Sequence, residues 1–171
     1  MGLNIVCFEP EIPQNVGNIM RTTLAAGARL HLIEPLGFSM SSRHIARSGV
    51  NYIHKVDYHI YHNIYKFFEE NQGDYYFLSR YGMRTFYNDE LKDESRDYYF
   101  ILGRESTGLP KDILKENLNR CIRLPMSDKV RALNVSNVAA IVLYEALRQQ
   151  GYPGLSFCEP AVFKGSNYLR E

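Results

Sequence analysis

Two short apolar runs, "LNIVCF" at 3–8 and "ARLHLIEP" at 28–35, flank one amphipathic stretch, and this spacing constrains the fold more than any other feature of the chain. Both runs have strand length and are bounded by turn-forming residues. Between them, a helix running from about Asn15 to Gly27 places Ile19, Met20, Thr23 and Leu24 on one face. A strand, a helix and a second strand form a crossover, which makes the two strands parallel and puts helices over the sheet. The alternation continues. "DYYFLS" at 74–79, "DYYFILG" at 97–103 and "RCIRLPM" at 120–126 read as strands, and helical patterns lie near 61–70, 110–117 and 134–150. The fold class is therefore α/β, with a mainly parallel sheet flanked by helices. The acidic run "DELKDESRD" at 89–97 reads as a solvated loop or frayed helix. The tail, 155–171, follows Pro153 and Gly154, contains Pro160, and is expected to be irregular.

With 171 residues, 45% of them hydrophobic, the chain builds one full core, so 1–171 is expected to be a single domain. A formal charge of +1 gives no overall mandate for a polyanion, so nucleic-acid contact would have to come from a local patch. Cys7, Cys121 and Cys158 are odd in number and form no CxxC pair, which fits a reducing compartment and points to the cytoplasm. No run approaches the ~18 apolar residues of a membrane span, and the start lacks the charged region of a leader.

In an open α/β sheet the ligand site lies beyond the carboxyl ends of the strands. Three loops there carry chemistry. The first, "EPEIPQNVGNIMR" at 9–21, opens a helix on which Asn18 and Arg21 share a face. Either Asn15 is an N-cap, Gly17 a turn residue and Arg21 a solvated side chain, or the polar pair forms the rim of a site. The second, "GRESTGLP" at 103–110, spaces two glycines like a phosphate loop. Leu109 and Pro110 stand where a Walker motif needs Lys and Ser/Thr, which argues against a nucleotide triphosphatase. Glu105 supplies a carboxylate there, and Pro110 could open the next helix with Thr107 near its cap. The third, "LPMSDKVRALNVSNVAAIVLYEALRQQ" at 124–150, leads through Asn134, Ser136 and Asn137 into a helix apolar enough to be buried against the sheet, a partner subunit, or both.

Other constellations are weaker. His59 and His62 could share a helical face, but nothing completes a zinc set, and no metal is expected. No GxSxG elbow is present, and "EPEIPQNVGN" does not supply the GxGxxG of a dinucleotide site. Arg43, His44, Arg47 and Lys55, with Tyr52 and Tyr58, read either as a solvated surface or as a phosphate-contacting patch for RNA.

Taken in order, "NVGNIMR", "ILGRESTGLP" and "IRLPMSDKVRALNVSNVAAIVLYEA" resemble the three motifs of the SpoU branch of the SPOUT methyltransferases. The resemblance covers about residues 2–154, and the length matches the small stand-alone TrmL (YibK-like) group. It implies a SPOUT fold with a C-terminal trefoil knot, which the general rule against threaded chains would not have suggested. It further implies a homodimer that uses S-adenosyl-L-methionine, releasing S-adenosyl-L-homocysteine, to methylate the 2′-hydroxyl of the wobble nucleotide, position 34, in the anticodon loop of leucine tRNAs. By position, Leu78, Gly103, Leu124 and Ala132 would contact the cofactor, largely through backbone groups. Arg21 with Asn15 would be the first catalytic element, Glu105 the second and Asn134 the third. Where many relatives have serine two positions before that asparagine, this chain has Ala132, so a hydroxyl contact is lost.

Methyl transfer to a ribose hydroxyl is an in-line displacement, and alignment alone can remove about 7–11 kcal/mol of barrier. A guanidinium with a pKa above about 12 is a poor base, so Arg21 suits an electrostatic clamp on a phosphate or the developing alkoxide. Glu105 suits holding the loop or an arginine. Tyr144 reads as a dimer or site-shaping residue. Two alternatives use the same loops: a methyltransferase acting on another tRNA or rRNA site, and a non-catalytic RNA-binding protein, for which Ala132 is the support.

Overall fold

The computed structural model describes residues 2–40, 53–88, 90–165 and 167. Its elements, in chain order, are β1 (Leu3–Phe8), α1 (Pro13–Ala26), β2 (Arg29–Ile33), β3 (Tyr58–Tyr61), α2 (Ile64–Glu70), β4 (Asp74–Leu78), β5 (Tyr98–Leu102), α3 (Lys111–Glu116), β6 (Cys121–Ile122) and α4 (Val135–Gln150). Among the described residues, six strands form one sheet in the order β3-β2-β1-β5-β4-β6, every pair parallel. The direction of strand progression reverses between β1 and β5, which brings the loops after those two strands together.

Alternation within each strand divides the core. Ile5, Cys7, Leu30, Leu32, Tyr76, Phe100 and Ile122 face α1 and α4, whose Val16, Ile19, Met20, Ala139, Val142 and Leu143 cover them. Val6, Phe8, Ile33, Phe77, Tyr99 and Ile101 face α2 and α3, covered by Ile64, Phe67 and Ile113. Burial on both faces is why β1 and β5 are apolar at nearly every position.

Three expectations need correction. β3 was hidden inside the stretch leading to the 61–70 helix because it is an edge strand with only Tyr61 buried, so no apolar face advertises it. His59 consequently lies on β3, and His62 just beyond it, each beside a carboxylate: Asp57 and Glu34, both at 3.5 Å. Among the described residues, no group of three or more His, Cys, Asp or Glu could hold a metal ion. The strand read over 120–126 shrinks to Cys121–Ile122. Its continuation is taken up by another segment: Ser79 N–H donates to the Ile122 carbonyl (3.0 Å) and Arg123 N–H to the Arg84 carbonyl (2.8 Å). Leu78 pairs with Ile122 on one edge and Arg84 bridges to it as well, so residues 79–84 bracket β6.

The acidic run is a loop in its described part, anchored by Leu91, which is fully buried. After Gln150 the described residues form turns only, with Tyr152 and Leu155 packed on the core. No helix among the described residues is long and apolar enough to cross a membrane. Arg43, His44, Arg47 and Tyr52 lie outside the described residues. Lys55 falls in a 3₁₀ turn (Ile53–Lys55), and Tyr58 begins β3.

Candidate active site

Beyond the carboxyl ends of β4, β5 and β6 lies a cavity of about 700 Å³. Leu78, Leu102, Leu109, Ile122, Leu124 and Val138 give it apolar walls. Asn15, Gly103, Glu105, Ala132 and Asn134 lie around it too, so seven of the eight site residues that the resemblance implies converge. The exception is Arg21. It is exposed, as is Asn18, and neither lines the cavity. Arg21 follows Asn15 by six positions of helix, roughly 9 Å along the axis and well around it, so the two do not act from one face.

The first loop is built differently from a simple capped helix. Asn15 is not the N-cap: α1 begins at Pro13, Ile12 occupies the cap position in extended conformation, and no cap side chain bonds the helix end. Nor is Gly17 a turn residue; it is buried inside the helix. The orphan donors go to Glu105 from the second loop. Its carboxylate accepts from Glu11 N–H (2.9 Å), Ile12 N–H (3.3 Å) and Asn15 Nδ2 (2.9 Å). An anion at a helix N-terminus is also favoured by the helix dipole. Glu11 returns the contact, accepting from Ser106 N–H (2.8 Å) and Ser106 Oγ (2.7 Å), which holds its carboxyl below the usual range. Arg104 pairs with Glu9, which sits at the end of β1 with φ 47, a left-handed conformation costly for a residue other than glycine. Loops one and two are thus clasped by two reciprocal carboxylates and an ion pair. Glu105 holds the loop rather than an arginine.

The third loop joins the same network. Asn134 is the N-cap of α4, its Oδ1 accepting from Ser136 N–H (2.8 Å) and Ser136 Oγ (2.6 Å). Its Nδ2 donates to Asn15 Oδ1 at 3.0 Å, and Asn15 Nδ2 donates onward to Glu105. Each amide is therefore fixed in orientation by a donor on one side and an acceptor on the other. The relay runs from Ser136 through Asn134 and Asn15 to Glu105 and ties all three loops to one carboxylate. Three small polar residues near the α4 start exceed a cap's needs because one of them reaches another loop.

Two glycines let the walls close. A Cβ on Gly103 would stand 2.2 Å from Gly108 C and 2.3 Å from Leu109 N, where the loop returns on itself. One on Gly82 would stand 2.7 Å from Ile122 C, inside the bracket around β6. α3 opens after Pro110 with no side-chain cap, so Thr107 does not serve there. Burial, with the Glu105 charge nearby, pushes the Cys7 thiol up and keeps it protonated, which removes it as a nucleophile. The charged residues around the cavity are Arg80, Arg104, Arg131 and Glu105. With Glu105 engaged by donors and Arg104 paired to Glu9, the mouth favours an anion. Reading the sequence by motif missed Glu9, Glu11, Ser106, Arg80 and Tyr81. The first two stood in view in "EPE", and the last two follow directly after a strand.

The SpoU rRNA Methylase family matches residues 2–144. An Escherichia coli K12 protein named tRNA (cytidine(34)-2′-O)-methyltransferase is 39% identical over 153 residues, covering 89% of this chain and 96% of that protein. A Geobacillus stearothermophilus relative, whose name carries the same activity with a provisional qualifier, is 50% identical over 157 residues, covering 91% of this chain and all of its own. A solved structure described as giving insight into 2′-OH methylation of C/U34 on tRNA superposes with a TM-score of 0.78 at 35% identity, covering 87% of this chain and 91% of that one. With that family match, and with relatives this similar along almost their whole length, the chain belongs to the SpoU rRNA Methylase family, the branch of the SPOUT methyltransferases that its three loops resemble.

Proposed function

We propose that this chain is a tRNA ribose 2′-O-methyltransferase acting on the wobble nucleotide, position 34, of leucine tRNAs in the cytoplasm. The observation that carries the reading is the convergence of Asn15, Leu78, Gly103, Glu105, Leu124, Ala132 and Asn134 around one cavity. The position-34 substrate is supported by the names of relatives, and the leucine isoacceptors by the sequence resemblance.

The cavity suits S-adenosyl-L-methionine: its volume is that of a small-molecule site, its walls are apolar, and its rim is loop backbone rich in N–H and C=O groups. Leu78, Gly103, Leu124 and Ala132 would hold the cofactor, Ala132 through its backbone alone. When bound, the cofactor supplies a methyl group activated by its sulfonium. The chain's own residues align and polarise. Asn134, Asn15 and Glu105 hold the three loops in one geometry, which is where the alignment gain arises. Arg21 clamps the phosphate or the developing alkoxide of the substrate nucleotide.

The exposed position of Arg21, off its own cavity, supports a homodimer in which it serves the site from the partner side. Ile141 and Tyr144, 44% and 45% exposed on the outer side of α4, are the apolar surface such a dimer would cover. The bracket of 79–84 around β6 supports a knot in the C-terminal region. The test is to incubate the protein with labelled S-adenosyl-L-methionine and unmodified tRNA and to identify the product nucleoside and its position by mass spectrometry. A 2′-O-methylated nucleotide 34 in leucine tRNA is expected. Methylation elsewhere, or cofactor binding without transfer to native tRNA lacking the modification, would overturn the reading. Light scattering of the same sample should give the mass of a dimer.

A further inference from the structure

The loop after β4 carries a side chain that cofactor holding and loop docking leave unused. Tyr81 is 66% exposed, yet it stands at the cavity mouth. Its backbone is fixed: Tyr81 N–H donates to Ser79 Oγ (3.2 Å), Gly82 N–H to the Ser79 carbonyl (3.1 Å) and Ser79 N–H to the Ile122 carbonyl (3.0 Å). Gly82 is pressed against the β6 backbone, and Arg123 donates to the Arg80 carbonyl. A ring carried on so constrained a loop is already oriented and loses little freedom on binding.

Arg80 backs the ring. Its guanidinium lies over Tyr81, 4.6 Å from the ring centroid, and it donates to the Tyr81 hydroxyl. One face is thus covered by a cation, so the exposure belongs to the edge and the opposite face. Met83, 93% exposed, extends the apolar surface two residues on. The core gains nothing from these side chains. A rigid aromatic plane beside a cation, at the mouth of a site that favours anions, has the chemistry that receives an unstacked base and its phosphate.

We propose that Tyr81, backed by Arg80, is a stacking platform for a splayed-out base of the RNA substrate, and so positions the nucleotide over the cavity. The inference rests on the tRNA reading above. Stacking reads no Watson–Crick edge, so the platform serves cytidine and uridine alike.

The chain contains no tryptophan, so Tyr81→Trp creates a single fluorescent reporter at this position. Titration with an unmodified leucine tRNA transcript should quench it, and S-adenosyl-L-homocysteine should not. Tyr81→Ala should raise KM for tRNA about 5- to 100-fold, the range of one lost base–aromatic stack, with cofactor KM and melting temperature unchanged. Tyr81→Phe, which keeps the ring and loses only the hydroxyl that accepts from Arg80, should recover most of the tRNA KM lost in Tyr81→Ala. An unquenched reporter, or an unchanged tRNA KM in Tyr81→Ala, would overturn the proposal while wild-type methylation of the same transcript leaves the tRNA reading intact. Quenching by S-adenosyl-L-homocysteine with a rise in cofactor KM alone would also overturn it, assigning the ring to the cofactor's adenine. A wild-type protein that methylates no tRNA would overturn the tRNA reading, and the platform with it.

Discussion

Gly103→Ala tests whether the closeness of the second loop to itself sets the geometry of the cavity. The added Cβ would lie 2.2 Å from Gly108 C and 2.3 Å from Leu109 N, against an ordinary contact of 3.4 Å or more. The returning backbone must therefore retreat by about 1.2 Å, the difference between 3.4 and 2.2. That retreat strains the paired hydrogen bonds Arg104 N–H to Gly108 C=O (3.2 Å) and Gly108 N–H to Arg104 C=O (2.9 Å). Overpacking costs about 1–3 kcal/mol and each weakened hydrogen bond up to about 1 kcal/mol, so a loss of ~2–4 kcal/mol is expected. For a chain of this size that lowers the melting temperature by about 5–15 °C. A misplacement of about 1 Å at a site of aligned groups costs about 100-fold in turnover. Thermal melts, cofactor titration and single-turnover methylation would be compared with Gly2→Ala, whose Cβ meets nothing within 4 Å. If Gly103→Ala melts within 1 °C of wild type and turns over within twofold, the loop is not as constrained as the contacts indicate, and the reasoning fails.

Arg21→Lys should lose about 100-fold or more in kcat with an unchanged melting temperature, because an exposed side chain contributes little to the core while a lysine lacks the bidentate fork; near-normal kcat would remove the clamp role. Glu105→Gln sets an amide among the donors from Glu11, Ile12 and Asn15, and should cost about 1.5–3 kcal/mol in urea unfolding along with cofactor affinity; equal stability would show that the relay is not anchored there. His31 is buried, held neutral by burial and by Arg29 nearby, with its pKa lowered to about 3. Its folded-state value lies below that of the free side chain, near 6.5, so the unfolded chain takes up the extra proton first and stability falls as pH drops below about 6.5. By pH 5 this amounts to ~2 kcal/mol, and a flat urea midpoint between pH 5 and 7 would contradict it.

The neutral state of His31 also follows from its partners. Asn4 spends its Nδ2 on the Gly2 and Tyr98 carbonyls, so its Oδ1 faces His31 Nε2 (3.1 Å) as acceptor. His31 Nε2 therefore carries the proton, and Nδ1 accepts from the Tyr61 hydroxyl at 3.0 Å. Nothing in "ARLHLIEP" announces this. A histidine inside a strand becomes legible only when neighbouring strands supply its partners.

What the sequence determined by itself is the α/β alternation, five of the six strands and all four helices among the described residues, and the order of three polar loops after strands. Those signals are local: strand and helix periodicity, and glycines and prolines at the boundaries. It could not show β3, whose stability comes from pairing with β2 rather than from an apolar face of its own. It could not show that Glu105 closes the start of α1, 90 or more residues away, or that Asn134 reaches Asn15 across 119. Nor could it show that Arg21 stands off the cavity its neighbour Asn15 lines. A hydrogen bond between distant residues depends on where the sheet sets their strands. The reversal of strand order at β1 and β5 made that decision, carrying one loop's carboxylate to another loop's orphan N–H groups.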